Sequence, residues 1–131
     1  MVLNLVPISE GLIDYCFYNR INKDKQTLDE DKFKQIWLKH KQYFRIIIVD
    51  DHIIGLSGFM PDSEGLLGYL VLTNNYKKYT RYIIRQMREV LSKFKCRVKF
   101  VNHCDDSNIH KWYGLIGFKR VGDYWIREGS I

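Results

Sequence analysis

The chain has 131 residues, of which 46% are hydrophobic and 27% are charged, a composition typical of one soluble globular domain. Its formal net charge of +6, from 21 basic and 15 acidic residues, favours an anionic partner such as a phosphate, a nucleic acid or an acidic protein. No apolar run approaches the ~18 residues that span a bilayer, and the N-terminus lacks a basic signal-peptide region. We therefore expect no membrane partner and a cytoplasmic location.

The cysteine pattern excludes two kinds of cross-link. Cys16, Cys96 and Cys104 make an odd number of thiols without C-x-x-C spacing. This pattern disfavours both a disulfide framework and a zinc site. We expect reduced, mostly buried thiols and no bound metal.

The first half of the chain predicts two helices and four strands. Residues 3–7 predict a short strand, residues 9–22 a helix capped by Ser9, and residues 28–42 a second helix with apolar side chains at helical spacing. The β-branched run 43–49, a turn at 50–52 and the apolar run 53–59 predict a hairpin. A polar turn at 61–65 and a strong strand at 66–73 follow.

The second half predicts a strand–helix–strand crossover. Residues 80–94 predict a helix whose apolar stripe is Ile83, Ile84, Met87, Val90, Leu91 and Phe94. Residues 96–102 predict a strand, 105–115 a short helix that ends at Gly117, and 118–127 a final strand or hairpin. Since crossover connections join parallel strands, this order predicts an α/β fold with a mixed sheet covered by helices, in one domain over residues 1–131.

The segment before the third long helix carries a concentration of positive charge. Between Gly65 and Arg88 no side chain is acidic, but five are basic: Lys77, Lys78, Arg81, Arg85 and Arg88. The amide groups and the dipole of a helix N-terminus favour an anion, so this layout is typical of a phosphate site. The loop and helix start within residues 72–87 nevertheless contain no glycine, and a simply solvated helix face is the alternative interpretation.

Two local patterns, together with the element order, resemble the GCN5-related N-acetyltransferase (GNAT) family over essentially the whole chain. The first is 45-RIIIVDDHIIGLSGF-59, similar to the hairpin of the family. The second is 106-DSNIHKWYGLIGF-118, in which Asp106 takes the usual position of asparagine and Tyr113 that of the family tyrosine. The resemblance implies a mixed, largely antiparallel sheet with one splayed parallel strand pair, flanked by about four helices.

The resemblance also implies acetyl-CoA as cofactor and an amine as acceptor. In the family, acetyl-CoA lies between the strands that correspond to residues 66–73 and 96–102. The implied cofactor contacts are Val71, Leu72, Thr73, Lys77, Lys78, Thr80, Arg81, Tyr82 and Asn108. Thr80 and Tyr82 stand where the family has small residues. We expect Thr80 to cap the helix with its hydroxyl, the ring of Tyr82 to obstruct the amides, and the basic side chains to act as substitutes.

For catalysis, Tyr113 resembles the general acid of the family, with a packed aromatic beside Trp112 as the alternative. Strand 66–73 has no carboxylate that could act as base. His103 is the first choice for that role because histidine titrates near neutral pH. Asp105, Glu64 and Asp62 are the alternatives, and His110 and Lys111 are expected to face solvent.

Three functional hypotheses follow. In the first hypothesis the chain is an active acetyl-CoA-dependent N-acetyltransferase. In the second it is a catalytically degenerate GNAT-fold protein with a structural or interaction role, such as a phage internal virion protein located in the virion interior. In the third hypothesis the basic helix binds nucleic acid, with Tyr76, Tyr79 and Tyr82 stacking on bases.

Overall fold

The computed structural model describes residues 2–21, 29–101 and 107–129, which form a sheet in the order β1-β2-β3-β4-β5-β7-β6. The strands are β1 (Leu3–Pro7), β2 (Phe44–Val49), β3 (His52–Asp62), β4 (Gly65–Leu72), β5 (Arg97–Val101), β6 (Lys119–Val121) and β7 (Tyr124–Arg127). β4 and β5 pair in parallel, and the other neighbouring strands pair antiparallel. The predicted mixed, largely antiparallel sheet with one parallel pair is therefore confirmed.

Helices cover both faces of this sheet. They are α1 (Glu10–Tyr18), α2 (Glu30–Lys39), α3 (Thr80–Ser92) and α4 (Ser107–Leu115). α1 and α2 bury Ile13, Phe17 and Trp37 against one face, where they meet Phe44 of β2. The core on the other face includes Ile83 and Leu91 of α3, three buried residues of α4 (Ile109, Trp112 and Tyr113) and Ile116 just beyond the end of α4.

The hairpin between β2 and β3 turns through two residues. Asp50 and Asp51 have φ angles of 49° and 67°, the positive values that a type I′ turn requires at both central positions. His52 already belongs to β3, so the strand begins one residue earlier than predicted. The backbone N–H of Val2 donates to Oδ1 of Asp50 at 2.8 Å, which ties the start of β1 to this turn.

α1 is shorter than predicted because its exit segment pairs with the end of β4. The helix ends at Tyr18 rather than near residue 22. The N–H of Ile21 donates to the carbonyl of Leu72, and the N–H of Asn74 donates to the carbonyl of Asn19, both at 3.0 Å. A continued helix would have kept these groups for its own hydrogen bonds, so the tertiary pairing overrides the local preference.

Pro61 lies inside β3 and not in the predicted turn, which is limited to residues 63–64. It pairs with Leu66 of β4. β2 pairs with β3 only as far as Gly58. Backbone groups alternate between the two edges of a strand, so the nitrogen of Pro61 points to the β2 side of β3. At this position β2 is no longer paired with β3. The missing N–H therefore costs no ladder hydrogen bond.

The two described cysteines differ in environment. Cys16 is buried between α1 and the sheet, as predicted for the thiols, whereas Cys96 is exposed; Cys104 lies outside the described residues. Burial raises the pKa of the Cys16 thiol to about 12. A raised thiol pKa means that very little reactive thiolate forms near pH 8.

Alkylation should therefore discriminate between these two cysteines. With iodoacetamide at pH 8, we expect peptide mapping to show Cys96 modified within minutes and Cys16 unmodified until denaturant unfolds the chain. Alkylation of Cys16 at the rate of Cys96 in the native protein would show that the α1 face opens readily.

Candidate functional site

β4 and β5 separate at their carboxyl ends. Their parallel pairing runs from Gly65 opposite Arg97 to Gly68 opposite Phe100. Beyond this point β4 continues to Leu72, while β5 pairs only with β7. A Cβ at Gly68 would lie 2.6 Å from the ring of Phe100, so the glycine leaves room for that ring at the last paired position. The predicted splayed pair is thus present, with its gap beyond Gly68.

The gap is bordered by alternate residues of β4. The N–H of Thr73 donates to Ile54 of β3 at 2.8 Å, so the backbone groups of Leu72 point to the opposite edge, toward the gap. By the same alternation, those of Val71 point toward β3. The Thr73 side chain is fully buried, and its hydroxyl donates to the carbonyl of Ile53 at 2.7 Å. Of the three predicted β4 contacts, only Leu72 therefore has its backbone groups on this edge, and its carbonyl already accepts from the N–H of Ile21.

A cleft of about 360 Å³ lies between α3 and α4. It is lined by Tyr76, Lys77, Thr80, Arg81 and Ile84 on one side and by Asn108, Lys111, Trp112 and Leu115 on the other. The rings of Tyr76 and Trp112 meet edge to face, with centroids 5.2 Å apart, and join the two sides. Both rings are almost fully buried, so the cleft has a rigid aromatic base.

Four of the predicted cofactor residues line this cleft: Lys77, Thr80, Arg81 and Asn108. Lys78 is exposed and does not contribute to the lining. Tyr82 is half-buried and packs against the core, away from the cleft lining. Its ring is therefore not part of the cleft lining, and the obstruction of the helix amides expected from it stays a prediction.

The expectation that Thr80 caps α3 is wrong. A 3₁₀ turn over Asn74–Tyr79 runs directly into α3, so the N-cap position falls on Tyr79, whose side chain makes no capping hydrogen bond. The hydroxyl of Thr80 instead donates to the carbonyl of Lys77 at 3.1 Å. This carbonyl is within reach because the preceding residues are already helical.

The charges around the cleft all have the same sign. Lys77, Arg81 and Lys111 line it, and no acidic side chain is among its described lining residues. Lys111 is exposed, as expected, and it also lines the cleft, for which the sequence pattern contained a signal. Asn108, Lys111, Trp112 and Leu115 recur at spacings of three, one and three residues, which places them on one helix face.

Tyr113 lies in a cluster of aromatic rings beside the cleft. It is 7% exposed and stacks on Trp125, with centroids 5.1 Å apart and planes 17° apart. Phe100 and Phe118 approach its ring at 5.5 and 5.6 Å. Tyr113 is not among the residues that line the cleft, so this geometry is that of a packed aromatic, and its catalytic role stays a prediction.

Two of the four candidate bases lie within the described residues, and both are in ion pairs. His103 and Asp105 lie outside the described residues. Glu64 contacts Arg97 at 3.4 Å, and Asp62 lies 3.7 Å from the ammonium of Lys99. Both carboxylates are therefore engaged in ion pairs at the opposite end of β4 from the gap.

The aromatic side chains among the basic residues differ in exposure. Tyr76 is 3% exposed, and Tyr79 and Tyr82 are half-buried against the core. The ring of Tyr76 is therefore not available for stacking, and the binding of nucleic acid stays a prediction. Lys78, Arg85 and Arg88 are exposed cations on this side that do not line the cleft.

The described residues contain neither a helix that could span a membrane nor a group of side chains arranged to bind a metal ion. None of the helices in 2–21, 29–101 and 107–129 is long and apolar enough to cross a membrane. Within the same ranges, no group of three or more His, Cys, Asp or Glu side chains is arranged to hold a metal ion.

The sheet order, the single splayed parallel pair and the helix after it define the fold of the GNAT acetyltransferases. The chain is similar to the ribosomal-protein-S18-alanine N-acetyltransferase from Escherichia coli, with a TM-score of 0.69 and 9% identity over 99% of this chain and 96% of that one. It is also similar to the PaiA N-acetyltransferase from Thermoplasma acidophilum in complex with coenzyme A, with a TM-score of 0.59 and 14% identity over 100% of both chains.

A chimeric spermidine N-acetyltransferase from Vibrio cholerae shows the same likeness, with a TM-score of 0.63 and 11% identity over 96% of this chain and 95% of that one. No protein-family model matches the sequence, and no curated protein matches it significantly. At such low identities the likeness establishes the fold, and the activity has to be argued from the site.

Proposed function

We propose that the chain is an N-acetyltransferase that moves an acetyl group from acetyl-CoA to an amine. The observation that carries the proposal is the position of the cationic cleft. It lies between α3, the helix that connects the splayed strands β4 and β5, and α4, and Lys77, Arg81 and Lys111 line it. A GNAT neighbour of low identity was solved with coenzyme A, which supports the choice of cofactor.

The described residues fit the anionic part of the cofactor through side chains. A pyrophosphate carries several negative charges, and the guanidinium of Arg81 can donate two parallel hydrogen bonds to phosphate oxygens. Lys77 and Lys111 add compact charges from both sides of the cleft. Since Thr80 and Tyr82 replace the two small residues of the family pattern, we propose that these cations take over from a backbone cradle.

The backbone edge of β4 fits the linear part of the cofactor. An extended amide chain can pair with an open strand edge in the manner of an added strand. The gap exposes the edge on which the backbone groups of Leu72 lie, although its carbonyl already accepts from Ile21. We propose that the N–H groups along this edge, and Asn108 across the cleft, orient the cofactor.

The reaction sets the requirements for the other side chains. Acetyl-CoA supplies a thioester carbonyl that an amine can attack. As the C–N bond forms and the C–S bond breaks, the nitrogen gives up one proton and the departing sulfur takes up one. We propose Tyr113 as the donor to sulfur and His103 as the acceptor of the amine proton, with the acceptor amine itself left open.

Ligand-dependent stability and transfer test the proposal together. Acetyl-CoA at 100 times its Kd should stabilise the fold by about 2.7 kcal/mol, which raises the Tm of a domain of this size by about 8–10 °C. A panel of amines that includes polyamines and peptides with free N-termini should release thiol from acetyl-CoA with at least one member. The absence of both the Tm shift and thiol release would refute the proposed activity.

The packing of Tyr113 favours a second candidate function. A tyrosine held among Phe100, Phe118 and Trp125 serves the fold whether or not it donates a proton. The protein could then be a catalytically degenerate GNAT-fold scaffold with a structural or interaction role. A Tm that rises with acetyl-CoA while no amine is acetylated would favour this candidate over the enzyme.

A further inference from the structure

Arg88 connects the two helices that form the cleft. Its guanidinium donates from Nε at 3.2 Å and from Nη2 at 2.8 Å to the carbonyl oxygen of Leu115. Leu115 is the last residue of α4, and it also lines the cleft. Carbonyls at a helix C-terminus lack intrahelical partners and lie at the negative end of the dipole, so the cation makes a favourable, charge-assisted bond there.

Arg88 continues the face of α3 that lines the cleft. Arg81 and Ile84 precede it at spacings of seven and four residues, which places all three on one side of the helix. The next turn of α3 is fixed to the sheet, because Nη1 of Arg127 on β7 donates to the carbonyl of Leu91 at 3.1 Å. α3 is thus attached to the sheet, and α4 is attached to α3.

We propose that Arg88 is a positioning residue that sets the separation of α3 and α4 and thereby the width of the cleft. It is not among the residues that line the cleft, so it acts through Leu115 and not by touching the ligand. The inference rests on the proposed function in so far as it concerns acetyl-CoA affinity. Because Arg88 is exposed, solvent screens its bond and the effect is moderate.

Arg85 provides a matched control for Arg88. It lies one turn earlier on α3, is exposed and does not line the cleft, so Arg85→Gln removes the same charge without the bond to Leu115. In the ligand-free protein, we expect Arg88→Gln to speed amide hydrogen exchange in α4, while Arg85→Gln leaves it unchanged. Exchange in α4 that does not differ between the two variants would overturn the proposal.

The kinetic arm distinguishes positioning from general destabilisation. We expect Arg88→Gln to raise Kd and KM for acetyl-CoA about fivefold, with kcat within about twofold of wild type. Arg88→Lys should recover part of the affinity, since an ammonium can donate one hydrogen bond to Leu115. An unchanged Kd in Arg88→Gln would contradict the link to the cleft.

A second ligand separates positioning from direct contact. The same loss of affinity for acetyl-CoA and for its analogue without the 3′-phosphate supports the proposal. A loss that disappears with the analogue would mean that Arg88 touches that phosphate, and would overturn the proposal. If the wild-type protein binds no acetyl-CoA, the proposed function fails, while hydrogen exchange in α4 still decides whether Arg88 holds the helix.

Discussion

Replacing Arg81 with glutamate is expected to weaken acetyl-CoA binding about 100-fold. Arg81 lines the cleft between Lys77 and Lys111, where the proposed function places the pyrophosphate. The substitution removes charge-assisted hydrogen bonds and adds repulsion between like charges, and each of these terms weakens binding by tenfold or more at short range. Calorimetric titration at 0.15 M salt measures the change in Kd.

Arg85→Glu is the control for this experiment, because it changes the net charge equally on the same helix but outside the cleft lining. At 0.15 M salt the Debye length is about 8 Å, so the effect of Arg85→Glu should stay within about threefold. Equal losses in the two variants would indicate diffuse electrostatic attraction and not a defined phosphate site. Full affinity in Arg81→Glu would exclude Arg81 as a cofactor contact.

Replacing Tyr113 with phenylalanine is expected to lower kcat about 100-fold while the fold remains intact. The phenyl ring keeps the stacking on Trp125 and the contacts with Phe100 and Phe118. Only the hydroxyl is lost, and a general acid typically contributes at least 100-fold to the rate. Steady-state kinetics at saturating acetyl-CoA measure kcat, and thermal unfolding confirms that the variant is folded.

Two further variants distinguish a catalytic role of Tyr113 from a packing role. Tyr79→Phe removes a hydroxyl from a half-buried ring that likewise does not line the cleft, and its kcat should be unchanged. Tyr113→Ala should lower the free energy of unfolding by about 3–5 kcal/mol, because it leaves a cavity among three rings. If Tyr113→Phe retains wild-type kcat, Tyr113 is a packing residue and the sulfur receives its proton from another group.

Elements with strong periodicity could be predicted from the sequence. The stripe on residues 80–94 predicted α3, which begins at Thr80 as expected and ends at Ser92. The acidic turn between two β-branched runs predicted the β2–β3 hairpin, with a difference of one residue at His52. In both cases the local sequence pattern and burial in the folded protein favour the same backbone conformation. Neighbouring residues are therefore sufficient to predict the element.

The wrong predictions from the sequence concern positions where the surrounding structure decides the local conformation. α1 ends early because residues 19–21 pair with the end of β4, and Pro61 remains in β3 because β2 has ended by that point. Likewise, Thr80 bonds backward to Lys77 because a 3₁₀ turn replaces the expected loop. The partners of residues 19–21 and the end of β2 opposite β3 are not visible in a window of neighbouring residues, whereas Lys77 is only three residues from Thr80.

The cleft was only partly predictable for the same reason. Lys77, Thr80, Arg81 and Asn108 were expected at the site through the family resemblance, and they do lie together. Lys111 was missed because the face of α4 that meets α3 depends on how the two helices pack. Tyr82 was expected at the site because of its place in the motif, whereas its ring packs against the core and is not among the residues that line the cleft.

β4 and β5 are separated along the chain by the whole of α3, and this has a consequence for the order of folding. β2, β3 and β4 are joined by two-residue turns, so their pairing closes short loops. The pairing of β4 with β5 closes a loop of more than twenty residues, and contacts of that sequence separation form slowly. We therefore expect the β2–β4 meander to assemble first, and the cleft to appear only after the long-range pairing of β4 with β5. A chain arrested before that step would have much of its secondary structure and no site for a cofactor.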